Sequence, residues 1–306
     1  MKKTNNFEKF AKKKSNAAIK EEFKQEKRKW KKERQVAIEK RKQEKREPVN
    51  PTTAVKKTTV VNKAVPAVMP LNKYVAHCGI CGRREAADIV KEGKVKVNGV
   101  VITEPGFKIN DKDDVRVNDK KVTPTKNLVY ILVNKPKDYI TTTDDPQGRK
   151  TVLDLIKKAT QERVYPVGRL DRNTSGVLLF TNDGELSQKL THPSNGIKKI
   201  YAVVLDKPLT KDHFEQILKG VMLDDGMANV DVMAFTDIKD KTQVGLELHG
   251  GRNRIVRRIF EHFGYTVKNL DRVVFAGLTK KNLQRGHWRY LTDKELRELK
   301  FFGKGK

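Results

Sequence analysis

The feature that most constrains this 306-residue sequence is a break in composition at Pro70. Before it, Lys and Arg outnumber Asp and Glu by 22 to 8, and large apolar residues are too sparse to close a core. A chain of that kind does not bury enough surface to offset the entropy of ordering it. Residues 5–47 are Lys/Glu-rich and compatible with a solvated, ion-paired helix, and residues 48–70 are Pro/Thr/Val/Lys-rich without periodicity, as in a linker. Half of the net charge of +28 lies in this first stretch. Such an excess of cations predicts a polyanionic partner. No apolar run reaches the roughly 18 residues of a membrane span, and the N-terminal segment lacks the hydrophobic stretch of a secretion signal. Cys78 and Cys81 are the only cysteines, too few for a disulfide framework. A cytosolic, monomeric protein that makes no membrane contact is expected. Its division would be an arm and linker over 1–69, a small domain over 70–120 and a larger one over 127–300.

After Pro70 the pattern becomes that of a folded chain. Leu71–Ala76 reads as a short helix, broken by a turn from Gly79 to Gly82, and Arg83–Lys91 as a second, with Ala86, Ala87, Ile89 and Val90 apolar. Gly93 ends it. Val95 and Val97 alternate with lysines, and Asn98-Gly99 is the pair favoured in a two-residue hairpin turn, with Val100–Ile102 returning. Lys73, Arg83, Arg84 and Lys91 load this unit with cations suited to phosphate contact. Cys78-x-x-Cys81 has metal-like spacing, but only His77 is near and a structural zinc site needs four ligands, so packing is the expected use.

Beyond Thr125 strands and short helices follow one another. Leu128–Val133 is a β-rich apolar run ending at Asn134-Lys135-Pro136, Val152–Ala159 is a helix candidate and Arg163–Val167 a strand. The segment Gly168-Arg169-Leu170-Asp171-Arg172-Asn173-Thr174-Ser175-Gly176 then precedes the buried strand Val177–Phe180, which puts Asp171 on a turn between two strands, flanked by two arginines. Downstream, Gln243–Leu248 alternates as a half-buried strand, and a helix is expected from Arg252. On its wheel Ile255, Val256, Ile259, Phe260 and Phe263 fill an arc of about 140°, with Arg257 and Arg258 at its edges and Arg254 facing away. A border guanidinium can bend into a partly dry cleft and pair with a carboxylate, whereas Arg254 is placed for solvent or phosphate. Arg252 completes a cluster suited to RNA as a group. The apolar run within 271–278 reads as core, and the six histidines form no metal-binding pattern.

Two resemblances organise these observations. Leu71-Asn72-Lys73, the Gly79–Ala86 segment and Val95-Lys96-Val97-Asn98-Gly99 resemble the S4-type RNA-binding domain, a small αL motif whose basic helix docks structured RNA. Gly168–Asp171 with Thr174-Ser175-Gly176, Thr181–Leu186, His192-Pro193-Ser194, Lys199-Ile200-Tyr201 and Gly251–Arg258 resemble the RsuA/RluB branch of the pseudouridine synthases over about 128–299. The Asp-Gly-Glu-Leu and His-Pro-Ser details are more similar to the large-subunit members. Ile255 stands where many members carry Gln. The resemblance implies an α+β architecture, an S4-like domain followed by a catalytic domain with a mixed, largely antiparallel sheet and peripheral helices. It implies isomerisation of uridine in ribosomal RNA, most simply the 23S molecule, naked or partly assembled. The same motifs admit a 16S-specific enzyme or a ribosome-assembly factor that only binds RNA.

By the same resemblance Asp171 is the catalytic carboxylate, acting either as a nucleophile or by taking a ribose proton; Tyr201 packs against the target base; Arg257 pairs with Asp171; and Arg169 lies near the vacated stack or adjacent phosphates, with Arg172, Arg252, Arg254 and Arg258 also on the RNA. The reaction is redox-neutral, so no cofactor and no metal are expected. A chain lacking residues 1–69 should bind RNA more weakly and with a shallower salt dependence while still turning over. Unchanged affinity and salt slope in titrations of the truncated protein would make the arm a solubilising tail.

Overall fold

Alternating valines and a tight turn are enough to start the first sheet. The computed structural model describes residues 68–301 other than 238, together with residue 25, so the expected arm helix and linker lie outside the described residues. Strand β1 (Met69–Pro70) leads into helices α1 (Leu71–His77) and α2 (Arg83–Lys91), followed by β2 (Val95–Val97), β3 (Val100–Val101), β4 (Lys108–Ile109), β5 (Val115–Val117) and β6 (Lys120–Lys121). Asn98 and Gly99 both adopt positive φ, 52° and 84°, as the two-residue turn between β2 and β3 requires. Val95 and Val97 face Val117 and Val115 across the β2–β5 ladder. The buried valines join Leu71, Tyr74, Val75, Cys81, Ala86 and Val90 in one small core. Cys81 is part of that packing, and burial pushes the neighbouring Cys78 thiol up to about 12, which leaves it an inert small apolar group.

The second unit is built on a nine-stranded sheet. Its elements are β7 (Tyr130–Lys135), a 3₁₀ turn over Val152–Ile156, β8 (Tyr165–Pro166), β9 (Ser175–Thr181), α3 (Gly184–Thr191), β10 (Lys199–Leu205), α4 (Lys211–Lys219), β11 (Val221–Leu223), β12 (Gly226–Ala228), β13 (Val232–Phe235), β14 (Gln243–Leu248), α5 (Ile255–His262), β15 (Val267–Phe275), β16 (Leu278–Thr279), β17 (Trp288–Tyr290) and α6 (Asp293–Phe301). The strand order is β13-β14-β10-β15-β9-β7-β17, with β8 beside β9 and β16 beside β15. All its named pairings are antiparallel except β9 with β15, so the sheet is mixed and largely antiparallel. β7 and β9 are buried along their whole length because both faces are covered. Leu132, Val177 and Leu179 pack into one core while Ile131, Val133, Leu178 and Phe180 pack into another. The helix starts follow local chemistry: Asp183 accepts from the Leu186 N–H, Thr210 from the His213 N–H, and Thr292 and Glu295 cap α6 reciprocally.

Three elements differ from the sequence reading. Val152–Ala159 does not form a full helix; after the Thr151–Asp154 cap the segment makes one 3₁₀ turn over Val152–Ile156, and Val152, Ile156 and Ala159 still reach one core, with Leu153 and Leu155 packed against it. The strand expected over Arg163–Val167 shrinks to Tyr165–Pro166, with the Val167 N–H still donating to the Leu179 carbonyl of β9 at 2.7 Å; Pro166 is tolerated because its nitrogen faces away from β9. The helix expected from Arg252 begins at Ile255, since Arg254 sits in the left-handed region with φ 46°.

The parallel junction has a steric requirement. Gly176 has φ 111°, and a Cβ there would sit 2.2 Å from the Arg272 carbonyl oxygen and 2.6 Å from its nitrogen. Gly176→Ala should therefore cost about 3 kcal/mol or more, from backbone strain and displacement of the ladder. Gly106→Ala, with no positive φ and only a flexible Glu104 carboxylate 3.6 Å away, should change stability by under about 0.5 kcal/mol. Urea denaturation of the two variants checks the contrast.

Candidate active site

The turn carrying Asp171 runs from β8 to β9 and is lashed down by its main chain. Lys135, the last residue of β7, is completely buried, and its ammonium donates to the carbonyls of Pro136 (3.0 Å), Asp171 (3.1 Å), Arg172 (3.3 Å) and Thr174 (2.8 Å). An ammonium has three protons, so these acceptors saturate it. Burial pushes Lys135 down to about 8, opposed by the charges of Asp171 and Asp138, and the group stays cationic at neutral pH. From other directions Thr141 Oγ1 donates to the Leu170 carbonyl (2.7 Å) and the Asp138 N–H to the Arg172 carbonyl (2.9 Å). Arg257, 9% exposed on α5, donates to the carbonyls of Asn173 (3.2 Å) and Val267 (2.9 Å).

This turn forms one wall of a cavity of about 150 Å³, well below the roughly 300–1,000 Å³ of drug-sized pockets. Asp171 lines it, half-buried, with Arg169 at the rim. Tyr201 of β10 lies beside Leu270, Arg272 and Phe275 of β15, and Tyr201 and Arg272 are cross-strand partners. The opposite wall is Gly250–Arg252, Arg254, Ile255 and Val256. Lys199 holds that wall in place by donating to the carbonyls of Ile197 (3.1 Å), His249 (3.0 Å) and Gly250 (3.2 Å), and burial brings it down to about 8. A carboxylate and a tyrosine on rigid supports thus face a space of limited volume, ringed by guanidinium groups. Among the described residues no cluster of His, Cys, Asp and Glu could hold a metal ion, and no helix is long and apolar enough to cross a membrane.

Comparison with known proteins decides the family. Residues 129–262 match the RNA pseudouridylate synthase family and residues 69–115 the S4 domain. The chain is 41% identical over 233 residues, 75% of its length and 95% of the relative, to ribosomal large subunit pseudouridine synthase B of Bacillus subtilis. It is 35% identical to the dual-specificity RNA pseudouridine synthase RluF of Escherichia coli, covering 75% of this chain and 77% of that one. A crystal structure of a pseudouridylate synthase superposes with a TM-score of 0.55 and 25% identity, over 76% of this chain and 99% of the other. The chain belongs to the RsuA/RluB family of S4-containing pseudouridine synthases.

Within this synthase, Asp171, Tyr201, Arg169, Arg252 and Arg254 come together around the cavity. Arg257 does not line it. The expected side-chain pair with Asp171 is replaced by two donations to main-chain carbonyls, with the Asp171 charge near enough to offset part of the burial that lowers the Arg257 pKa. Packing of Val256, Ile259 and Phe260 draws the Arg257 stem inward behind the turn. Arg254 was expected to face away, but its left-handed backbone takes it off the helix to the cavity rim, where it pairs with Glu261 at 3.1 Å. Arg258 is turned elsewhere, donating twice to the Asp225 carboxylate at 2.8 Å. Arg252 reaches the same hairpin, donating to Asp225 and to the Gly226 and Met227 carbonyls. Arg172 points to solvent and pairs with Asp138 at 3.3 Å. In the S4 unit Lys73 pairs with Glu185 and Lys91 with Asp88, whereas Arg83 and Arg84 are exposed at the start of α2.

Two contributors to the synthase site go unseen in the sequence. Lys135 reads as a lysine ending a strand, and only the fold shows the turn curled around it. Arg272 lies in the 271–278 run read as core, yet with Leu270 and Phe275 it lines the cavity, so that run belongs to both. Its guanidinium is 2% exposed, donates to the Val177 carbonyl at 2.9 Å, lies 4.6 Å from the Phe275 ring centre and leaves one terminal nitrogen without a partner among the described residues. An arginine inside an apolar strand was the available signal. Lys135→Met keeps the stem and removes the donors, and should lower stability by about 2 kcal/mol or more and pseudouridine formation by at least about tenfold through displacement of the turn. A folded variant with wild-type turnover in a tritium-release assay would show that the ammonium does not position Asp171.

Proposed function

We propose that this synthase converts a uridine of ribosomal RNA to pseudouridine, that the molecule is the 23S RNA of the large subunit, and that Asp171 is the catalytic carboxylate. The observation that carries this is the placement of a half-buried carboxylate, on a turn fixed by Lys135 and Arg257, over a small cavity bordered by Tyr201. Chemistry on a base requires taking it out of the stack, and the cavity is the place for a flipped nucleotide. Uracil is a poor leaving group at neutral pH, so cleavage of the N-glycosidic bond calls for a carboxylate that either attacks the sugar or takes a ribose proton. The ring of the freed uracil is then held against Tyr201 while it turns to present C5. In this reading Tyr201 assists proton transfer from C5, and the buried Arg272, its cross-strand partner, adds a positive charge where the departing base carries negative charge.

The large-subunit address rests on the name and 41% identity of the Bacillus relative. The protein would act as a monomer in the cytoplasm, without a cofactor because the reaction is a redox-neutral isomerisation. Its working division is an arm over 1–69, the S4-like domain over 70–120 and the catalytic domain over 127–300, with Arg169 and Arg254 on the RNA at the cavity rim. Arg252 and Arg258 act there through the Asp225 hairpin. Purified full-length protein should form pseudouridine in a protein-free 23S transcript, and Asp171→Asn should abolish this while binding the same RNA within about twofold of wild type. Turnover by Asp171→Asn would sink the carboxylate assignment, activity confined to a 16S transcript would move the address, and binding without turnover by the wild type would leave an assembly factor.

A further inference from the structure

A second, larger cavity of about 490 Å³ lies between the S4-like helices and the catalytic fold. Lys73 and His77 of α1, Arg83 of α2, and Arg163 and Tyr165 from the β8 segment line it. The two folds meet there: Lys73 pairs with Glu185 at 3.3 Å, and the Thr125 N–H of the connecting segment donates to the His77 carbonyl at 3.0 Å. A Cβ on Gly184 would stand 3.2 Å from both His77 Nε2 and Tyr165 Oη, so these two polar tips converge on the start of α3. Burial and the Lys73 charge hold the His77 imidazole below its ordinary pKa, while burial carries Tyr165 up to about 12. The floor therefore offers a neutral imidazole and a protonated hydroxyl rather than an anion.

The rim is different. Among the described arginines, Arg83, Arg84, Arg163, Arg169 and Arg297 are those whose guanidinium has neither a hydrogen bond nor an ion pair within the chain. Arg169 lines the catalytic cavity, and two of the other four, Arg83 of the S4-like fold and Arg163 of the catalytic fold, line this cleft. Arg163 reaches across the seam, its Nη2 lying 3.5 Å from where a Gly82 Cβ would be, at the foot of α2. Eight other described arginines are paired with carboxylates, as Arg252 and Arg258 are with Asp225. Two unneutralised forks facing one cleft repel each other and match the oxygens of a phosphodiester. Thr191, at the end of α3, borders both cavities, so a strand leaving the Asp171 pocket passes over it into the cleft.

We propose that this cleft is a phosphate-backbone subsite for the RNA strand flanking the target nucleotide, with Arg83 and Arg163 gripping it from the two folds. The proposal rests on the reading of the protein as an RNA-modifying enzyme and adds the route the strand takes. The test is to measure affinity of the full-length protein for a protein-free 23S transcript over a series of salt concentrations, for wild type, Arg83→Gln, Arg163→Gln and the double variant. Arg297→Gln serves as a control that removes an equally unpaired charge outside the cleft. The double variant should bind at least about tenfold more weakly, with a slope of log K on log salt shallower by about 1.4–1.8, the share of two phosphate contacts. Arg163→Lys should recover part of the loss, and melting temperatures should be unchanged because neither guanidinium bonds within the chain. A double variant whose affinity and slope match those of Arg297→Gln would overturn the subsite. Pseudouridine formation by the wild type, read on the same RNA, separates the two claims. An active wild type with an unaffected double variant refutes the cleft alone, and an inactive wild type with a weakened double variant refutes the reaction but not the cleft.

Discussion

The site depends on one buried ammonium. Lys135 ends a strand whose six residues are all buried, and its charge is stabilised by main-chain carbonyls, three of them in the turn that presents Asp171. A lysine without water has to find such acceptors, and a turn that presents carbonyls inward has to find such a donor. Each need answers the other, so the position of Asp171 follows from the burial of β7. Arg257 adds a second donor from α5, and Gly176 lets β9 lie against β15 closely enough to bring the turn beside Tyr201 and Arg272.

The same logic sorts the cations. A net charge of +28 suggests a uniformly RNA-seeking surface, but the described arginines do different work. Arg252 and Arg258 brace the hairpin of β11 and β12 through Asp225; Arg257 and Arg272 are buried and serve the shape of the site. Of the five described arginines without a hydrogen bond or ion pair, Arg169 borders the Asp171 cavity and Arg83 and Arg163 line the cleft beside the S4-like helices. Long-range attraction of RNA is a property of the total charge, whereas its placement is a property of these few groups.

Much of the fold was legible in local sequence. Asn98-Gly99 set a hairpin, Thr292 to Glu295 a capped helix, and the alternation in Gln243–Leu248 a half-buried strand, because each rests on chemistry within a few residues. The S4-like unit and the Asp171–Tyr201 pair were legible through family motifs. What was not legible depends on contacts distant in sequence. The Lys135 ammonium needs a turn some forty residues away, and Arg257 reaches main chain on two other elements. The position of Arg254 turns on a left-handed backbone that a helical wheel assumes away, and Arg272 was hidden by the apolar strand around it.

The central claim is that this scaffold isomerises a uridine in large-subunit ribosomal RNA. Mapping pseudouridines across all ribosomal RNA from cells with and without the protein tests it most directly. Loss of modification at a defined uridine of the 23S RNA, restored by the wild-type chain and not by Asp171→Asn, is the predicted result. An identical map in the two strains, or a loss confined to 16S RNA, would contradict it.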